Sequence, residues 1–301
     1  MIRTLLRNIR YLLTEDLRST TWRLFMMEKS IRGVSTLALR TSHPGLPLYA
    51  PVAHSEINEH EQRIYSQNGE DGILMWLFSK IGTSTKTFIE FGAGSGRECL
   101  AANLVLNFGW AGLLMDGSGE NISSARLFFK YLLPWSQYEQ LEIRQEFVTR
   151  ENIETLLAGR RHQGEVDLLS IDIDGNDYWV WEAIESITPR VAVIEYNATF
   201  GPTASITVPY RADFNAYAEH PLGLYHGVSV QALKKLGERK GYTFLGCDSN
   251  GANTFFVRNN LVGSLAPADP VQAFYDNEHK LKRGSQLAQA ELIAGKELVE
   301  V

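Results

Sequence analysis

Cysteine is nearly absent from this 301-residue chain: Cys99 and Cys247 are the whole complement. Two thiols can build neither a disulfide framework nor a cysteine-rich zinc cluster, and the scarcity fits a reducing, cytoplasmic compartment. Proline is sparse as well, 10 residues against 25 glycines. Low-complexity and collagen-like repeats are missing, which excludes disordered and fibrous classes as the main architecture. No run of about eighteen apolar residues exists, so no bilayer-spanning helix is expected. Basic charge is short outside the first 40 residues: they carry a net +5 of a formal total of −6, leaving −11 for the remainder. An acidic body is a poor surface for duplex binding, so nucleic acid is not an expected partner.

What is present is ordinary globular material, 44% hydrophobic and 21% charged. The length suits one large α/β domain with extensions. We divide the chain into a helical extension and linker (1–54), a main domain (55–265) and a polar, helical C-terminal tail (266–301) in which no chemistry is visible. In the extension, Ile2, Leu5, Leu6, Ile9, Leu12 and Leu13 share one helical face, and Arg3, Arg7 and Arg10 fall on another. Such a basic amphipathic helix has three uses open to it through residues 1–32. It can pack on the domain, pair with a second copy in a homo-oligomer, or lie peripherally on an anionic membrane surface.

In the main domain short apolar runs alternate with helical stretches. Strands are expected at Thr87–Phe91, Ala111–Met115, Ile143–Val148, Val166–Ile173 and Val191–Tyr196, with a helix through Leu100–Leu106. That alternation reads as βαβ units and a parallel sheet covered on both faces. Tyr242–Cys247 and Thr254–Val257 flank an Asn250-Gly251 turn, so the sheet should finish with an antiparallel pair.

The first strand runs into Glu90-Phe91-Gly92-Ala93-Gly94-Ser95-Gly96, a glycine turn at a helix N-terminus, where a ligand can approach the backbone closely. The second ends at Asp116, 24 residues after Gly92, where a carboxylate can accept both hydroxyls of a ribose. A dinucleotide fingerprint requires glycine where Arg97 stands, which disfavours a nucleotide-dependent oxidoreductase. An acid at Glu90 suits a cationic amino-acid ligand such as S-adenosylmethionine. The plainer reading is that Glu90 caps a turn and Asp116 a helix.

With these residues the sequence resembles the class I S-adenosylmethionine-dependent methyltransferases, more narrowly the FkbM-like group. The resemblance rests on Tyr65-Ser66-Gln67-Asn68-Gly69-Glu70-Asp71-Gly72, on Phe88 to Gly94, on Asp116, on Asp167 to Gly175 and on Val193-Ile194-Glu195-Tyr196-Asn197. It covers about residues 60 to 260. It implies a Rossmann-like, doubly wound seven-stranded sheet with an antiparallel last strand, and a methyl acceptor among small hydroxylated metabolites or saccharides. The cofactor set it implies comprises Gln67, Asn68, Glu90, Gly92, Ala93, Gly94, Gly96, Asp116, Val148 and Asp172.

Asp172, Asp174 and Asp177 follow a strand apolar enough to be buried, and Glu195 and Asn197 end its neighbour. Active sites of open α/β sheets lie at such carboxyl ends. Two chemistries remain open. Asp172, Glu195 and Asn197 offer oxygen ligands suited to Mg²⁺, which would acidify an acceptor hydroxyl. In the other, Asp172, Asp174 or His226 acts as a general base with no metal. A turn that caps the helix near Tyr178 explains part of the cluster, at Asn176 or Asp177. The roughly thirty residues before Ser229 are long for an αβ connection and read as a lid carrying Phe200, Tyr210, Phe214, Tyr217, His220, Tyr225 and His226. The expected activity is O-methyl transfer. The alternative is a methyltransferase-fold scaffold without turnover.

Overall fold

The computed structural model describes residues 53–158 and 163–301. The expected N-terminal helix, and nearly all of the 1–54 extension, lie outside the described residues. Within them the helices are α1 Glu70–Ile81, α2 Ala101–Phe108, α3 Gly119–Leu132, α4 Trp135–Tyr138, α5 Ile153–Leu157 and α6 Asp177–Ala183. They continue with α7 Ala216–Glu219, α8 Val230–Arg239, α9 Pro270–Ala273, α10 Glu278–Leu281 and α11 Gln286–Leu292. The strands are β1 Thr87–Phe91, β2 Ala111–Asp116, β3 Leu141–Gln145, β4 Gly164–Ile171, β5 Ile187–Glu195, β6 Ile206–Thr207, β7 Tyr242–Cys247, β8 Asn253–Arg258 and β9 Val299–Glu300.

Seven strands form one sheet in the order β3-β2-β1-β4-β5-β8-β7. The first five pair in parallel, and β8 runs antiparallel to both β5 and β7. This is the Rossmann-like doubly wound sheet with a reversed last strand that the sequence predicts. The pleat explains why its strands are apolar on both faces: Ile89, Phe91, Leu113 and Leu169 enter one core layer, and Phe88, Leu114, Leu168 and Val193 the other. Trp181, 1% exposed, seals the first layer against Phe256 and Tyr242.

Strand order reverses between β1 and β4, and a crevice opens outside the carboxyl ends of strands at such a point. The tail after residue 265 returns to this crevice. Its α11 packs on the turn at Ala198–Phe200, and β9 pairs antiparallel with β6. No helix among the described residues is long and apolar enough to cross a membrane.

Candidate active site

The glycine turn is built around two close approaches. Gly92 and Ala93 donate their N–H groups to Met115 O at 2.9 and 3.1 Å, which ties the end of β1 to the end of β2. A Cβ on Gly92, where φ is 76°, would lie 1.5 Å from Asp172 O, so only glycine lets β1 and β4 end side by side. Gly94 N donates to Asp116 Oδ2 at 2.9 Å, and Asp116 Oδ1 accepts from Ser118 N and Asn121 Nδ2. Asp116 therefore fastens the loop and also lines the crevice. Gly96 does not reach it: a Cβ there would meet the Phe129 ring at 2.8 Å. That glycine is required by packing against α3, and it is not among the residues that wall the three cavities.

Glu90 is buried beneath this turn. Its two oxygens accept from Leu100 N at 2.8 Å and Ala101 N at 2.9 Å, the free N–H groups where α2 begins. Burial nevertheless pushes its pKa up to about 7. The string from Ser66 to Asp71 is largely a lock. Asp71 Oδ2 accepts from the backbone N–H groups of Ile64, Tyr65 and Ser66 and from Ser66 Oγ. Glu70 accepts from Asn68 N and Nδ2 and from Asn253 Nδ2. Asn68 is thus held against Glu70 at the wall of one cavity, and Gln67 is exposed between two.

Three cavities of about 590, 250 and 180 Å³ adjoin one another over the carboxyl ends of β1, β2, β4 and β5. The largest is walled by Gly92, Gly94, Asp116, Val148, Phe214 and Tyr217, among others. The smallest is walled by Gln67, Glu90, Gly92 and Ala93. The middle one lies under the C-terminal tail, between Glu195, His226, Asn250 and Lys280. Asp172 lines all three. It is the point at which they meet.

Around that point the charge is concentrated. Asp172 is open to the cavities yet ringed by protein, and burial, reinforced by the charges of Asp174 and Asp177, raises its pKa well above the carboxylate range. Glu195 is raised in the same way, by burial and then by Asp172 and Asp174. Glu195 gives Asp172 a hydrogen bond that favours the ionised Asp172. Two buried carboxyl groups this close do not both ionise, so the pair holds a proton between them. Asp174 adopts φ 53°, a left-handed conformation unusual outside glycine. Asp177 accepts from Ile173 N and Gly175 N and closes the turn, as the plainer reading of the cluster has it.

Asn197 is not brought to the cavities. Its Oδ1 accepts from Lys280 Nζ at 3.0 Å and from Thr199 N, and its Nδ2 donates to Leu224 O and His226 O. Every polar atom of that side chain is engaged in holding the lid and the tail. The expected metal set of Asp172, Glu195 and Asn197 is therefore not assembled. Asp174, Glu195 and His226 do offer atoms within 4.8 Å of one another. They fit Mg²⁺ poorly, because the Lys280 ammonium already sits in the cluster, 2.7 Å from His226 Nε2, and Mg²⁺ prefers an all-oxygen shell.

The lid divides as a mixture of packing and lining. Phe200, Phe214 and Tyr225 form a small core of their own, Tyr210 bonds Glu151, and Phe214 with the exposed Tyr217 faces the large cavity. His220 lines none of the three cavities. The residue that sequence reasoning missed is Lys280, buried in α10 of the tail. A lone lysine in a polar helix carries no signal that it returns to a cleft built 54 positions earlier, at His226.

No protein-family model and no curated protein matches the chain. Among solved structures, the chain is similar to the methyltransferase domain of bacterial CtHen1-C, with 15% identity, a TM-score of 0.41, and 63% of this chain and 97% of that one covered. It is similar to the magnesium protoporphyrin IX methyltransferase of Synechocystis PCC 6803 with bound SAM, with 14% identity, a TM-score of 0.39, and 63% and 77% covered. The N-terminal domain of EvdMO1, solved with SAH and D-fucose, matches with 13% identity, a TM-score of 0.39, and 63% and 82% covered. Likeness this distant fixes neither cofactor nor acceptor.

Proposed function

We propose that the chain is an S-adenosylmethionine-dependent methyltransferase of the FkbM-like group that methylates an oxygen of a saccharide or other small hydroxylated metabolite. The observation that carries this reading is the meeting of three cavities at Asp172. One has a strand-end acid suited to ribose, Asp116, and one is lined by a buried acid, Glu90, and by Gln67. The third is open to an acceptor. A ligand with a nucleoside at one end and a cationic amino-acid tail at the other matches the first two. Bound there, S-adenosylmethionine would supply an electrophilic methyl group on its sulfonium.

Asp116 and Val148 would hold the nucleoside end, and Gln67 and the turn at Gly92–Gly94 the tail. Asp172, ionised in its pair with Glu195, is placed to take the proton from an acceptor hydroxyl, which is otherwise a poor nucleophile. Of the aromatic lid residues, Phe214 would cover the nucleoside and Tyr217, which lines both cavities, would exclude water and orient the acceptor, so catalysis is mostly positioning plus proton removal. No divalent cation is needed in this scheme, since Lys280 already brings positive charge to the carboxyl cluster.

A calorimetric titration with S-adenosylhomocysteine (SAH), repeated with Mg²⁺ and with EDTA, tests the reading. Micromolar binding that is the same under both conditions is expected. Folded protein that binds no SAH under any condition would overturn the cofactor assignment and leave the scaffold reading standing.

A further inference from the structure

The four groups Lys280, His226, Glu195 and Asp172 form a line from the C-terminal tail to the junction of the cavities. Lys280 is 9% exposed and His226 2% exposed, so bulk water does not satisfy them. An ammonium has donors only, so the nitrogen it meets, His226 Nε2 at 2.7 Å, must present a lone pair. The ring proton of a neutral imidazole is then on Nδ1. That atom faces Glu195 Oε2 at 3.8 Å, and neither has a hydrogen-bond partner among the described residues. Glu195 in turn is paired with Asp172, with one proton between the two carboxyl groups.

We propose that Lys280 is a positioning residue which fixes His226 in its Nδ1–H form. Each donor in the line then points the same way, from the lysine through the imidazole and Glu195 to an unprotonated Asp172. The device orders hydrogen bonds and transfers no net proton. A reversed histidine would turn a bare Nδ1 toward Glu195, draw the Glu195 proton to itself, and leave Asp172 free to take up a proton of its own. The tail thereby sets the state of a carboxylate it never touches. The role assigned to Asp172 rests on the methyltransferase reading; the tautomer of His226 does not.

The groups facing His226 are Lys280, Arg283, Glu195 and the neighbouring acids Asp172 and Asp174. Burial, together with the Lys280 and Arg283 charges, keeps the ring neutral at pH 7. The direct test is a 15N spectrum of the histidine side chains of the full chain, with His226 assigned by loss of its signals in His226→Gln. In the wild type Nε2 should resonate as an unprotonated nitrogen and Nδ1 as a protonated one. In Lys280→Met the two forms should mix or invert. Lys280→Gln, which keeps an N–H donor, should hold the wild-type form.

A wild-type spectrum showing Nε2–H, or an imidazolium, overturns the proposal without any variant, so poor folding of Lys280→Met cannot rescue it. An unchanged tautomer in folded Lys280→Met overturns it as well. SAH titration of the same samples separates the two ideas. Loss of SAH binding by the wild type defeats the cofactor reading, whereas a wrong tautomer in protein that binds SAH defeats this one. With an acceptor in hand, Lys280→Met should move the acidic limb of the rate profile to higher pH. Lys280→Gln loses the same charge, which acts on the carboxyl groups directly, but keeps the donor, so an acidic limb displaced equally in both variants would overturn the positioning role.

Discussion

At the scale of single residues, two carboxylates separate binding from chemistry. Asp116 fastens Gly94 N and Ser118 N while facing the large cavity. Asp116→Ala should weaken SAH binding more than about tenfold, equivalent to roughly 1.4 kcal/mol, and calorimetry reads it directly. Asp116→Asn keeps one acceptor oxygen and should lose less. Equal affinity in all three proteins would remove the ribose assignment. Asp172→Asn keeps the shape of the junction and removes the base, so turnover of a screened hydroxylated acceptor should fall by about 10²-fold or more. Its SAH affinity should stay within about threefold of wild type. Retained turnover would move the base elsewhere, with Asp174 and His226 the remaining candidates. Such residue assignments were partly legible in the sequence because strand-end acids announce themselves by position. Lys280 was not, since its contacts depend on how a polar tail folds back.

Elements were legible where burial is complete. Strands β1 and β7 match the expected spans, Thr87–Phe91 and Tyr242–Cys247, and the Asn-Gly hairpin is present. Three strands shift: β4 is Gly164–Ile171 where Val166–Ile173 is expected, β5 is Ile187–Glu195 where Val191–Tyr196 is expected, and the third strand moves for a reason its place in the sheet explains. The sequence predicts Ile143–Val148, whereas β3 is Leu141–Gln145. It lies at the sheet edge and is only half buried, so the apolar pair Phe147-Val148 belongs to the cavity wall and not to the sheet. The string from Ser66 to Asp71 likewise serves mainly to lock the entry to α1, a role that residue types alone do not distinguish from ligand binding. The glycine turn yields an element-scale prediction. Gly92→Ala places a Cβ 1.5 Å from Asp172 O at φ 76°. It should cost about 2 kcal/mol or more in urea unfolding and abolish SAH binding, because β1 and β4 must move apart. Gly94→Ala has φ 54° but nothing within 4 Å of the new Cβ, so its cost should be only the left-handed penalty of roughly 1–2 kcal/mol. If the two variants behave alike, the turn is less tightly built than its contacts imply.

For the whole molecule, the same crevice that concentrates carboxyl groups should make stability depend on pH. Glu90 is raised to about 7, and Asp71 and Asp177 to about 6, in each case chiefly by burial. A carboxyl group whose pKa is higher in the folded state binds more protons there than in the unfolded chain. Its contribution is therefore most favourable at low pH within the window and declines as pH rises from about 4.5 toward 7. His226, whose pKa is lowered by burial and by Lys280, acts in the opposite sense: the unfolded ring gains a proton as pH falls below about 6.5, and the folded state loses ground. The two slopes overlap, so the total curve assigns neither. Glu90→Gln isolates one of them. Its amide keeps an oxygen for the N–H groups of Leu100 and Ala101 but cannot ionise. The fall in stability between pH 5 and pH 8 should be smaller in the variant than in wild type by about 1–3 kcal/mol, read from urea midpoints at the two pH values. Parallel curves would mean that the buried turn over Glu90 admits enough water to keep its carboxyl ordinary. The acid would then be as accessible to a cationic ligand as it is to its helix, and the smallest cavity would be wetter than its walls imply.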